Sequence, residues 1–499
     1  MLNQDRIALV QATSLTMNDT ELLSCTGPVD VELDLASGTA TFSKGSAGQL
    51  TLFGADPQPR LLNSKQTLQW VPPAGLREQL AETIADVDRM PATNGPATIG
   101  PTTNRPTTIG PKKTDSSQST AGKLRTIETD LNCEIRSALA IRVGSSMSGA
   151  IVLGTSDSCR AVRIDPNGKL HPLWKIASAE PIDALTSTGN RSGSPAVVFG
   201  SSGGAVVAVN SNGQELWRHQ LTSSSAIQRR ISCLASGDVD RDGRDELLVG
   251  THSWNVHCLA DDGRELWRQP AYAHRIASLA VGDINDDGAA DVLVGTSYYV
   301  LSAFDGKGDI QFGCRGEPEW RRVIVADLDG DGQPEIAAAN GCEVIVLDLQ
   351  QARIKPRTYT KGMNLPRATT ERFRFDTGDD VGALEVADLD HDGQLEIIAA
   401  SDSGFIYSFD SQGQLLQLRS AGDAVRTLAI GRNEFTEPVI AAGLRDGQIL
   451  VLDKTLKPLG RGKLHDTPHW LSVSDDGTSV RCATRHSVGL VVLNQSNAN

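Results

Sequence analysis

From about residue 124 onward, short apolar runs alternate with turn residues, and the same order of runs returns at a spacing of about 45 residues. A first run stands at 231–235, 276–280, 320–324, 381–385, 425–429 and 470–474, with less regular copies near Ser137 and Ile182. A second follows at 246–249, 292–294, 336–338 and 397–399, and a third at 256–259, 301–304, 344–347 and 406–409. The fourth opens after an Asn-Gly or Asp-Gly turn and in three copies ends on Trp174, Trp217 or Trp267, which are expected to pack between repeats. Apolar runs this short, separated by Gly, Asn and Asp, read as strands. Four strands per repeat of this length is the period of a β-propeller blade.

Eight first runs predict an all-β, eight-bladed propeller over 123–499, with seven blades as the alternative. The last copy stops after its third run at 489–493, while an unpaired run at 124–130 precedes the first. If that early run supplies the missing outer strand, the two ends of the propeller segment close the ring in one sheet. An irregular insertion at roughly 350–380 is expected to separate the fifth and sixth copies.

Upstream, residues 1–90 read as a small β-rich, sandwich-like unit. Its alternating runs at 29–35, 39–42 and 49–53 are followed by Leu76, Leu80, Ile84 and Val87 on one face of a short helix over 76–88. The composition of 91–122 shifts to Pro, Thr, Gly and Ser, which cannot bury a core and reads as a semi-rigid linker.

In four central copies the turn between the first two runs carries an acidic pattern, Asp-x-Asp-x-Asp-Gly-x-x-Glu. The residues are Asp238, Asp240, Asp242 and Glu246; Asp283, Asn285, Asp287 and Asp291; Asp327, Asp329, Asp331 and Glu335; and Asp388, Asp390, Asp392 and Glu396. Oxygen donors on alternate residues of a tight loop can surround Ca²⁺, which takes six to eight such ligands. The EF-hand differs, since its last ligand stands at position 12 and helices flank it. Here the last acid is ninth and a strand follows, so the chain is expected to hold about four calcium ions. The first two and last two copies lack the pattern.

The ions also account for the charge. The net charge of −14 argues against a nucleic-acid partner, and four bound Ca²⁺ would bring it to about −6. The eight cysteines form no Cys-x-x-Cys pair, which leaves zinc and thioredoxin-type chemistry unsupported. No membrane span or signal peptide is read in the sequence. Millimolar extracellular calcium suits such loops, so an extracellular or periplasmic setting is expected, with Met1 an artificial start or internal to a longer exported polypeptide.

The Asp/Gly loops between strands resemble the FG-GAP/VCBS-type calcium-binding propeller repeats, as in integrin α-subunit heads, well over 230–400 and weakly over the rest of 124–499. The Asp-Gly-x-Glu-Leu-Trp endings are similar to the repeats of quinoprotein-type eight-bladed propellers, a likeness of architecture, since the adjacent cysteine pair of that group's quinone-dependent enzymes is missing.

On the disc face opposite the acidic loops the sequence places arginines, histidines and aromatics. Arg230, Trp254, Tyr298, Tyr299, Trp320 and Arg321 are the candidate ligand contacts, because rings stack on sugar faces and arginines hold anionic substituents bidentately. The expected partner is a polysaccharide or a cell-surface protein, bound without catalysis. The alternative is a polysaccharide lyase acting on uronate-containing chains, for which Tyr272, His274 and Arg275 are the candidate base and carboxylate-neutralising groups.

Overall fold

The computed structural model describes the backbone of the strands between residues 2 and 69. It also describes residues 122–493 apart from 144–145, 166, 190–195, 223–228, 272–273, 316–318, 351–352, 355–366, 432–436 and 475–476. Contacts divide the chain into two compact units, Met1–Ser117 and Gln118–Asn499. In the first, Arg6–Met17, Thr20–Asp34, Thr39–Gly45 and Gln66–Gln69 lie in order in one antiparallel sheet. Gln49–Leu52 pairs with the Leu23–Cys25 end of the longest strand. The expected helix at 76–88 and nearly all of the linker lie outside the described residues.

The second unit is an eight-bladed propeller. Blades 1 to 7 begin with Ile135–Val143, Ile182–Thr188, Ile231–Gly237, Ile276–Gly282, Trp320–Ala326, Val381–Ala387 and Val425–Gly431, and each is an antiparallel sheet of consecutive strands. The eighth consists of Trp470–Val473, Ser479–Ala483 and Ser487–Val492, completed on its outer edge by Arg125–Asp130. Val488 faces Thr129 and Leu490 faces Ile127 across that closing pair. The ring therefore closes through the run expected to close it. Gly122–Lys123 also lies parallel to the outer strand of blade 7.

Burial follows position in the blade. Second strands such as Glu246–Thr251 and Glu396–Ser401 are buried at every residue, because both their faces pack against neighbouring blades; outer strands such as Glu215–Gln220 have exposed positions. Their edge aromatics clasp the next blade. Gly213 turns with φ 78°, and a methyl group on it would fall 2.6 Å from the Trp174 ring of the preceding blade. The same relation joins Trp217 to Gly263 and Trp267 to Gly308, and the Trp267 indole donates to the Gly306 carbonyl at 2.8 Å.

Two expectations need correction. Thr369–Asp376 is the outer strand of blade 5, so the irregular segment lies within that blade, between its third and fourth strands. Trp320 is 2% exposed and packs in the core between blades 4 and 5, so its ring cannot face a ligand. The seven described cysteines are unpaired thiols, and burial pushes that of Cys233 up to about 12.

Candidate functional site

Each acidic loop is held by the same three local bonds, which follow from its spacing. The first Asp accepts from the Gly amide five residues on: Gly243 to Asp238 at 3.0 Å, Gly288 to Asp283 at 2.7 Å, Gly332 to Asp327 at 2.9 Å and Gly393 to Asp388 at 3.1 Å. These glycines have φ between 85° and 90°, a conformation that side chains resist. The acid at the ninth position accepts from the amide at the second, as from Val239 to Glu246 at 3.0 Å and from Leu389 to Glu396 at 2.7 Å. Asp242, Asp331 and Asp392 cap the amides two residues on.

In blades 3, 5 and 6 these bonds bring three carboxylates together: Asp238, Asp240 and Glu246; Asp327, Asp329 and Glu335; Asp388, Asp390 and Glu396. Within each triad, ligand oxygens lie within 4.8 Å of one another. The blade-3 group fits a hard cation on its donor chemistry. Asp238 Oδ1 is buried without a hydrogen-bond partner, and burial, reinforced by Asp240, Asp242 and Asp238, pushes the Glu246 carboxyl up to about 7. A divalent cation is the partner that such a group lacks.

The other loops differ in ways no local spacing reveals. In blade 5 the Arg372 guanidinium lies 3.0 Å from Asp329 and 3.1 Å from Glu335, while its Nε donates to Asp348 at 2.5 Å. In blade 4 the ninth position is the shorter Asp291. Its carboxyl accepts from buried Gln311, and burial pushes it up to about 7. Arg241 of the blade-3 loop pairs with Asp287 there. Asp283, Asn285, Asp287 and Asp291 thus form no matching carboxylate triad among the described residues.

The opposite face is built from the turns between second and third strands and from the links between blades. Trp254 is 54% exposed and Tyr298 42%, on the adjacent blades 3 and 4. The Tyr298 ring lies 4.4 Å from that of His274 and 4.2 Å from that of Tyr299, centre to centre. Trp254, His274 and Tyr299 have φ of 75°, 73° and 62°. Such angles are rare for bulky residues and cost of order 1–3 kcal/mol each. Beside them, Arg230 pairs with Asp183 at 3.0 Å, Arg275 with Glu319 at 2.7 Å, and Arg321 with Glu319 at 3.1 Å and Asp380 at 3.0 Å. Burial, then Arg230 and Arg275, lowers the pKa of His252.

Tyr272 lies outside the described residues. His274 packs at a tilt against Tyr298 and Arg275 is engaged by Glu319, so these two are drawn to different partners.

First-strand residues of several blades line one cavity at each face of the ring. At the loop face a cavity of about 880 Å³ with mostly aliphatic walls is lined by Ile324, Val386, Asp388, His391, Leu395 and Ile430. At the aromatic face a smaller, more polar cavity of about 400 Å³ is lined by Arg136, Asp183, Ser232, Arg322 and His469, among others. No helix among the described residues is long and apolar enough to cross a membrane.

The fold and site define an eight-bladed propeller with acidic loops on one face and exposed aromatics on the other. Residues 196–309 match the model of the lambda-carrageenase beta-propeller domain. That segment runs from the second strand of blade 2 to the turn before the outer strand of blade 4 and includes Arg230, Trp254, His274, Tyr298 and Tyr299. The FG-GAP/VCBS likeness rests on the loop motifs alone. No curated protein matches the chain. Among solved structures, Sqt1 from Chaetomium thermophilum is 14% identical, covering 73% of this chain and 97% of its own, with a TM-score of 0.56. The computationally designed Ika8 protein is 16% identical over 74% of this chain and 99% of its own, at 0.53. The C-terminal WD40 domain of Sif2 is 13% identical over 75% and 100%, also at 0.53. At these identities the likeness is one of fold.

Proposed function

We propose that this propeller is a non-catalytic binding module for an anionic polysaccharide, held across the face opposite the acidic loops. The observation that carries the reading is Trp254, whose half-exposed ring stands in a left-handed turn within the segment similar to the lambda-carrageenase propeller. A backbone cost accepted to present an apolar ring to solvent is the mark of a contact residue. Trp254 and Tyr298 offer stacking surfaces for sugar rings. Arg230, Arg275 and Arg321 lie beside them and can exchange a carboxylate partner for an anionic substituent.

Asp238, Asp240 and Glu246, with Asp388, Asp390 and Glu396, would hold calcium. The ion would neutralise the triads and brace those blades as a structural element. An extracellular or periplasmic setting with millimolar calcium suits both parts.

The test is affinity electrophoresis of the calcium-loaded chain through gels containing lambda-carrageenan, polygalacturonate or neutral dextran. Retardation by an anionic gel, absent with dextran and lost in Trp254→Ala and Tyr298→Ala at unchanged melting temperature, supports the reading. Equal migration in all gels overturns it.

A further inference from the structure

We infer that the axial cavity on the aromatic face is an oxyanion site, with Arg322 as its principal ligand, and that it takes one sulfate ester or carboxylate of the bound glycan. The inference rests on the polysaccharide reading only for the source of the oxyanion.

Arg322 is an exception to the repeat. Each of the first six blades other than its own, and blade 7 as well, has a small residue at the equivalent register of the first strand. Ser137 faces Gly154, Ala184 faces Gly200, Cys233 faces Gly250, Ser278 faces Gly295, Ala383 faces Ala400 and Thr427 faces Gly443. In blade 5 the residue facing Ala339 is Arg322. Its side chain lines a cavity whose other walls come from blades 8, 1, 2 and 3, so it reaches across the axis.

The charge around it is unbalanced. Other arginines at this end of the disc are satisfied: Arg136 and Arg230 by Asp183, Arg321 by Glu319 and Asp380, Arg426 by Asp402 and Arg445 by Asp423. Arg322 is exposed, and its side chain makes no ion pair or hydrogen bond with any described residue. The one carboxylate on the described cavity wall, Asp183, is already held by Arg136 at 2.6 Å and Arg230 at 3.0 Å. Two guanidinium groups thus face one committed carboxylate, and His469 lies on the same wall. A planar five-donor fork with no internal acceptor suits sulfate or carboxylate oxygens, which it can bind bidentately. At about 400 Å³ the cavity falls in the range of small-ligand sites.

The test uses the calcium-loaded full chain, titrated calorimetrically with sodium sulfate, with galacturonate and with the retarding polymer, in wild type, Arg322→Met, Arg322→Lys and Trp254→Ala. Arg322→Met is expected to weaken both the small anion and the polymer about tenfold or more at unchanged melting temperature, since no described protein group loses a partner. Arg322→Lys should recover part of the loss. Trp254→Ala should weaken the polymer and leave the small anion unaffected. If Arg322→Met binds anion and polymer as wild type does, the oxyanion site is overturned. The polysaccharide reading then survives if Trp254→Ala still loses the polymer, and falls with it if that variant also binds normally.

Discussion

Trp254 occupies the turn position that Gly204 holds in the preceding blade. Its carbonyl accepts from Ala271 as that of Gly204 accepts from Leu221, and the two φ angles are 75° and 87°. Gly404 and Gly447 take the equivalent place in blades 6 and 7. Since glycine adopts this conformation at little cost, Trp254→Gly should stabilise the turn by about 1 kcal/mol. The variant should melt slightly above wild type in calorimetry while losing glycan retardation. A lower melting temperature would mean that the indole packs to structural purpose.

The clasp between outer strands predicts the opposite result. Trp267→Ala removes a ring packed on Gly308 and strands the Gly306 carbonyl, so a loss of about 3 kcal/mol is expected in urea denaturation. Gly263→Ala should also destabilise, because its Cβ would fall 2.6 Å from Trp217 at a φ of 84°. Wild-type stability in both would contradict the clasp.

Chelation and pH act together through the acidic loops. Burial raises the Glu246 carboxyl from 4.5 to about 7, and Glu396 moves in the same direction for the same first cause. Without metal, the contribution of Glu246 to stability is full below about pH 4.5 and is lost as pH rises through about 7, and that of Glu396 falls with rising pH in the same sense. Calcium requires the ionised form, so its stabilisation grows over the same window. The gap in melting temperature between calcium and chelator should therefore be wider at pH 8 than at pH 5.5. A gap independent of pH would count against the triads as metal sites.

Blade 5 should behave differently from blades 3 and 6. Arg372 already places a positive charge against Asp329 and Glu335. Arg372→Met leaves those carboxylates uncompensated, with a loss of about 3 kcal/mol in chelator that calcium largely restores. Equal destabilisation with and without calcium would show that the guanidinium acts only in packing.

What the sequence made legible was local. Asp-Gly spacing marks the loops because the three bonds common to all four lie within nine residues, and the 124–130 run betrays ring closure because the last repeat lacks a strand. What it hid was supplied from a distance. Arg372 reaches its loop from another strand, and Gln311 engages Asp291 from 20 residues on. Arg372 also sits in Thr369–Asp376, a charged strand that passed for part of the irregular insertion. The burial of Trp320 did have a signal: it stands where Ile231, Ile276, Val381 and Val425 open four of the other blades, each of them buried. Reading it as an exposed aromatic weighed residue type over register.

The central claim is that the aromatic face, and not the loop face, meets the glycan. Hydrogen–deuterium exchange of the calcium-loaded chain, with and without saturating anionic polysaccharide, tests it most directly. The account predicts slowed exchange at the turns 252–255 and 297–300, with the loops 238–246 and 388–396 unchanged. Protection confined to those loops, or none at either face, would contradict it.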